Sequence, residues 1–367
     1  GQVTAFAARL GCSRGVQYAV TAFFALDPIW GAFIQTQVKD TLYTGLFVLF
    51  VLKTADLLLF PQKWQGNRPR LTAYAVLGVL CCLLRKNGIY AVVPMLLVSA
   101  CTVSEKRLRR PVLAVLLAVC IGSFGFDMFT EKVLDIPAGS VGEALSVPMQ
   151  QTARYIRDYG NEVTDDERTA IEKALDYDAI AQSYMPELSD GVKQYYKNPG
   201  KGDLARYMLV WAKMLLKHPV CYFEATHANS HGYYTITKCR AINDYYTFNN
   251  DICMEMSEMN VHYLDKSGYL RYAFVQALSA FEKLPLVGLT TSIGFMAWLT
   301  AVLGLWLARC KAKPVLPVFI GLGIFWLTCI ASPVNDCMRY FLPVAGCLPL
   351  VFCLAAVFSR EKSEITV

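Results

Sequence analysis

The stretch KRLRRPVLAVLLAVCIGSFGFDM, residues 106–128, decides how the rest of the chain is read. Four cations, Lys106, Arg107, Arg109 and Arg110, precede a run with no charge from Pro111 to Phe126. A straight α-helical crossing of a bilayer takes ~20 apolar residues, and positive charge gathers on the cytoplasmic flank of such helices. The stretch therefore reads as a membrane helix entered from the cytoplasm.

Working outward, apolar runs recur at 16–35, 42–60, 71–84, 88–103, 286–308, 314–331 and 339–358. With 111–128 this makes about eight crossings. The runs 71–84 and 88–103 are short, and they read as two short or tilted helices meeting at Arg85-Lys86-Asn87-Gly88. Every second connection is basic. Arg9 and Arg14 lead in, Lys63, Arg68 and Arg70 follow the second run, and Arg309, Lys311 and Lys313 follow the sixth. Arg360 and Lys362 close the series. Both ends are expected in the cytoplasm of a plasma membrane. Lys39-Asp40, Arg85–Asn87, the long segment 129–285 and the loop Ser332–Tyr340 then face outside.

Composition agrees. The 367 residues are 55% hydrophobic and 17% charged, against roughly a quarter charged in a soluble domain. Residues 129–285 carry net charge −5 and the remainder +11. That split fits loops sorted by side of a bilayer and argues against nucleic-acid binding. The expected plan is mainly α: membrane helices in 1–128, an extracytoplasmic helical domain in 129–285, and membrane helices with a tail in 286–367. Within 129–285, Thr164 with Glu167 forms a capping-box signature for a helix through Asp176. Leu204–Lys217 is amphipathic, Pro219 stops it, and Asn198-Pro199-Gly200 is a turn.

Several polar residues could carry chemistry. Lys39 and Asp40 end the first span, as interfacial anchor and helix cap or with Lys39 meeting an anionic lipid head group and Asp40 as acid, base or metal ligand. Arg85 and Lys86 lie on the face where cations are disfavoured, so a counter-charge is expected, and a phosphate suits guanidinium geometry. Arg339 could pair with Asp336 or, with Tyr340, contact a phosphate or sugar. Gln150, Gln151 and Arg154 could reach sugar hydroxyls. His227 and His231 stand at the spacing of two ligands on one helix face, but without the intervening Glu of a zinc protease. Tyr222, Tyr233, Tyr234, Tyr245 and Tyr246 could stack on sugars or fill a core. Lys53 and Asp56, three apart, read as a mutual ion pair. Cys221, Cys239, Cys253 and Cys337 fall outside and are open to a disulfide; the remaining cysteines sit mostly in apolar runs. No nucleotide-binding signature occurs, and no cofactor is indicated beyond a divalent metal at Asp40.

The stretches Pro28-Ile-Trp with Lys39-Asp-Thr-Leu, Leu84-Arg-Lys-Asn-Gly, Pro148-Met-Gln-Gln-Thr-Ala-Arg, Trp211 with Lys217-His-Pro-Val-Cys-Tyr, and Arg339-Tyr-Phe-Leu-Pro span nearly the whole chain. Through them the sequence resembles an uncharacterised family of multi-pass membrane proteins of Gram-positive bacteria. That family is similar to the type C integral membrane glycosyltransferases, which use polyprenyl-phosphate-linked sugars. The resemblance implies sugar transfer from such a lipid to an envelope glycan or protein at the outer face. Lys39, Arg85, Lys86, Asn87 and Arg339 would hold the donor phosphate and Asp40 would serve catalysis. Gln150, Gln151, Arg154, Asp336 and Tyr340 would touch substrate. The chain begins with Gly1 rather than Met, a start that reads as a truncation, and the resemblance implies an acidic first outer loop ahead of it. A lipid-linked solute transporter and a non-catalytic envelope-assembly protein are the competing readings.

Overall fold

The computed structural model describes residues 1–35, 38–136, 139–236, 268–310 and 312–365. Cys239, Cys253, Tyr245, Tyr246 and Lys311 lie outside them. The described residues are mainly helical, with isolated bridges in place of strands. In chain order the helices are α1 (Gln2–Arg9), α2 (Arg14–Leu26), α3 (Pro28–Gln35), α4 (Lys39–Leu59), α5 (Arg68–Leu84), α6 (Gly88–Thr102) and α7 (Arg109–Lys132). Then come α8 (Ser146–Tyr159), α9 (Asp165–Ala174), α10 (Tyr177–Gln182), α11 (Asp190–Lys193), α12 (Lys201–Lys217) and α13 (Pro219–Ser230). The last are α14 (Tyr269–Glu282), α15 (Ile293–Arg309), α16 (Leu316–Ile330) and α17 (Met338–Ile365).

Among the described residues four helical stretches are long and apolar enough to cross a membrane: Lys39–Leu59, Lys106–Lys132, Lys313–Ile330 and Met338–Ser359. That is fewer than the eight expected, and local chemistry explains the shortfall. The run 16–35 is cut at Asp27-Pro28. The residue before a proline is pushed out of the α region, and Asp27 is extended (φ −69°, ψ 124°) while its Oδ1 accepts from the Ile29 N–H at 3.0 Å. The run 286–308 begins in a tight turn. Leu286 has φ +64° and a Cβ on Gly288 would lie 2.3 Å from the Glu282 carbonyl oxygen, so α15 starts only at Ile293. Helices α5 and α6 hold 17 and 15 residues.

By contacts the chain divides into two units. Unit 1 comprises Gly1–Ser123, Thr235–Phe325 and Met338–Val367; unit 2 comprises Phe124–Tyr234 and Trp326–Cys337. In this division α14 belongs to unit 1, whereas the expected helical domain ran over 129–285.

In unit 1, α4 packs against α1, α5, α6 and α17. Its apolar window is 67% buried and that of α17 is 78%, against 22% for α7, so α4 and α17 form the centre. Tyr43, Phe47 and Phe325 make one aromatic stack, with centroids 5.1–6.0 Å apart. Near the other end of α4 the buried Asp56 accepts from Trp64 Nε1 at 3.0 Å and meets Arg9 Nη1 at 3.0 Å. The expected Lys53–Asp56 pair is therefore replaced by Arg9–Asp56, which ties α1 to α4.

Unit 2 has its own core, in which Met149, Tyr155, Ile171, Tyr207, Met214 and Tyr222 are buried. The capping box forms: Thr164 Oγ1 accepts from the Glu167 N–H at 3.3 Å and Glu167 Oε2 from the Thr164 N–H at 3.0 Å. Glu167 is buried, and Lys217 Nζ from α12 reaches its Oε1 at 2.6 Å. Burial alone would raise this carboxyl, but the Lys217 ammonium and the Thr164 N–H hold it below the ordinary range. The segment 326–337 is bonded into the unit. Ser189 N–H donates to the Pro333 carbonyl at 2.7 Å, Asn335 N–H to Glu187 at 2.9 Å, and Asn229 Nδ2 to Ser332 at 2.8 Å.

Two outcomes follow from these contacts. Arg9→Ala leaves Asp56 buried without its cation, which should lower unfolding free energy by about 3 kcal/mol; thermal unfolding in detergent reads it. For Glu167, a folded pKa held below the unfolded one stabilises above the unfolded value, about 4.3, and that stability is lost as pH falls through the folded value. Hydrogen exchange of α9, corrected for intrinsic rate, should therefore lose protection in acid, while Glu167→Gln should be less protected at pH 7 and flatter with pH.

Candidate functional site

The polar residues expected at the outer face of unit 1 come from three places in the sequence. Asp40 lies in the first turn of α4. Arg85 terminates α5 in an extended conformation, and the turn that follows is closed by the Gly88 N–H on the Arg85 carbonyl at 2.8 Å. Only glycine fits at 88, because a Cβ there would lie 2.6 Å from the Cys81 carbonyl oxygen. Arg339 is in the first turn of α17.

The structure brings these three side chains together. Arg85 Nη1 donates to Asp40 Oδ1 at 3.2 Å, and Arg339 Nε lies 3.7 Å from Asp40 Oδ2. Both guanidinium carbons stand over the Tyr340 ring, that of Arg85 5.0 Å and that of Arg339 5.1 Å from its centroid. Arg85 also lies over Tyr43 at 5.9 Å and Phe325 at 5.5 Å. The side chains of Asp40 and Arg85 are 10% and 13% exposed, whereas that of Arg339 is 39% exposed. The cluster is thus closed on the Arg85 side and open on the Arg339 side. Lys39, Lys86 and Asn87 are exposed, at the start of α4 and in the α5–α6 turn.

Tyr43 and Phe325 were not among the expected site residues. Tyr43 was open to detection, because it stands three residues after Asp40 on the same helical face. Nothing in the sequence points to Phe325, which arrives through packing of α16.

The expected sugar contacts in unit 2 are placed otherwise. Gln151 is buried and its amide is engaged on both sides: Nε2 donates to Thr226 Oγ1 at 2.8 Å and Oε1 accepts from Trp211 Nε1 at 2.9 Å. Gln150 is buried and donates to the Met185 carbonyl. Both hold α8 in the core and are removed from solvent. Arg154 bonds Asp158 at 3.2 Å and Glu224. Asp336 is buried in left-handed backbone (φ +52°) so close to Gly232 that a Cβ on the glycine would lie 2.4 Å from its own Cβ. Tyr222 and Tyr233 are core residues.

His227 Nδ1 meets the Tyr234 hydroxyl at 2.8 Å, and His231 stands 3.5 Å from Glu187 and 3.1 Å from Asn335 Nδ2. Among the described residues no three His, Cys, Asp or Glu side chains gather as a metal site. Cys221 is a buried free thiol, raised by burial, so it forms none of the disulfides that were left open; Cys337 is buried.

Each of these features belongs to a sequence that has relatives. The chain belongs to DUF6020, a family of unknown function. The match covers residues 2–366. No curated protein and no solved structure matches the chain. Membership in DUF6020 supports the expected uncharacterised family and carries no activity with it; the similarity to glycosyltransferases gains nothing from these comparisons.

Proposed function

We propose that this protein is a membrane glycosyltransferase that binds a polyprenyl-phosphate-linked sugar at the Asp40–Arg85–Arg339 cluster and passes the sugar to an envelope acceptor outside the cytoplasm. The supporting observation is the convergence of two arginines, distant in sequence, on one carboxylate at the first turn of a membrane-length helix. Guanidinium groups held in place beside an apolar wall can neutralise a phosphate as it leaves the sugar. Arg339, the more exposed of the two, would meet the phosphate first, and Lys39 and Lys86 stand at the same ends of α4 and α5. Asp40 has a guanidinium at each oxygen. That makes it a positioning residue for Arg85 and Arg339, in place of the acid or base role expected for it.

One observation favours a second, non-catalytic reading. The same contacts join α4, the α5–α6 turn and α17, so the cluster could serve only as a staple in an envelope-assembly protein. Binding separates the two. Purified protein in nanodiscs is titrated with undecaprenyl phosphate and with the uncharged undecaprenol. Arg339→Ala should weaken the phosphate ligand about tenfold or more and leave the alcohol unchanged. Equal binding of both ligands, unaltered by the substitution, would leave the staple.

The proposal includes an orientation in which 61–70 and 105–110 face the cytoplasm and 139–234 faces outside. Reporter fusions after Gln65 and Lys106 should signal cytoplasm and fusions within 150–230 should signal outside. An external signal at Lys106 would overturn the arrangement.

A further inference from the structure

At the end of α4 remote from Asp40, a groove of about 460 Å³ opens between α4, α5 and the start of α1. Its floor is closed by Trp64 and Tyr74, each 1% exposed, and Tyr74 is anchored by its hydroxyl to Thr54 Oγ1 at 2.6 Å. One wall is apolar along α5, through Ala73, Val76, Leu77 and Leu80. Val76 and Leu80 are 51% and 38% exposed, so the wall opens outward. Two cations line the groove, Lys53 from α4 and Arg70 from the first turn of α5.

Neither cation has a carboxylate partner among the described residues. Asp56, the acid nearest to Lys53 in sequence, is engaged by Arg9 and Trp64. Arg70 gives one N–H to the Lys63 carbonyl, a neutral acceptor, at 3.2 Å. Lys53 is half-buried within a membrane-length helix. An ammonium there is costly unless it reaches the interface or meets an anion. The distance from Arg70 to Leu80 along α5 is about 15 Å, much of the length of one leaflet's acyl chain. Charge at one end and hydrocarbon along the rest is the polarity of a phospholipid. A free phosphate would leave the apolar wall without a partner.

We propose that this groove binds an anionic membrane phospholipid, with its phosphate between Lys53 and Arg70 and one acyl chain along Ala73–Leu80. The site is separate from the Asp40 cluster and does not rest on the activity assigned there. The lipid would fill the space between α4 and α5 beside the Arg9–Asp56 tie, and so brace α1 against the bundle.

The test uses the delipidated full chain in native mass spectrometry with phosphatidylglycerol, phosphatidylcholine or inorganic phosphate. Wild type should retain the first phosphatidylglycerol about tenfold better than phosphatidylcholine. Lys53→Gln/Arg70→Gln should abolish that preference, and millimolar inorganic phosphate should not displace the lipid. A preference of wild type that the double variant keeps, or no preference at all, overturns the site. Displacement by inorganic phosphate overturns the lipid assignment. Should the double variant not fold, Lys53→Gln alone and photo-crosslinking of phosphatidylglycerol to wild type decide it. Crosslinks within 70–80 support the groove, and crosslinks confined to other helices refute it.

Discussion

A carboxylate enclosed by an apolar helix bundle must be met by a cation, and α4 carries two such carboxylates near its two ends. Asp40 is met by Arg85 and Arg339, and Asp56 by Arg9. The cost of an unmatched ion in so little water is several kcal/mol, more than an ordinary apolar contact returns. Each arginine is therefore obliged to sit where α4 requires it. Through those obligations the start of the chain, the α5–α6 turn and the first turn of α17 are fixed to one helix. The aromatic stack of Tyr43, Phe47 and Phe325 adds area between α4 and α16, but it does not choose partners as the ion pairs do.

The two ends of α4 are otherwise unlike. At Asp56 the carboxylate has an indole N–H and a guanidinium, each at 3.0 Å. At Asp40 the second partner, Arg339, lies 3.7 Å away. A looser contact costs less to rearrange. An incoming anion could take Arg339 without first breaking the tighter Arg85–Asp40 bond. This gradient in tightness is why the Asp40 end is the better candidate for binding, though both ends are built from the same residue types.

Much of the architecture was legible in the sequence, for reasons that particular segments show. The run after Lys106 is apolar and uninterrupted, and its helix forms at full length. The capping box at Thr164 and the amphipathic stretch ending at Lys217 are local signals, and both produce helices. The failures are also physical. Hydrophobicity averaged over 16–35 hides one proline that divides it, and the run from 286 hides a turn set by backbone crowding at Gly288. Short-range charge spacing suggested Lys53 for Asp56, whereas the partner that prevails lies forty-seven residues earlier. Gln150 and Gln151 read as polar and available because sequence cannot reveal that Thr226, Trp211 and the Met185 carbonyl are waiting for them. The entry of 326–337 into unit 2 was invisible for a similar reason. It is held by backbone pairs and by the side chains of Asn229, Tyr233 and Asn335, whose partners lie far away in sequence, so no local pattern announces them.

What could be read of the candidate site was its charge, and what could not was its geometry. Two cations at Arg85-Lys86, expected on a face where cations are disfavoured, raised the expectation of a counter-charge. The structure meets part of that need internally, since Asp40 serves Arg85 directly. This shifts the weight of the functional argument from the number of cations to their arrangement. Tyr340 and Tyr43 limit how the guanidinium planes can turn, because a ring face favours a cation above it and resists its departure. A guanidinium so oriented loses less freedom when it grips a planar or tetrahedral oxyanion. The ring faces of Tyr43 and Tyr340 thus help set the orientation of the guanidinium groups that meet Asp40.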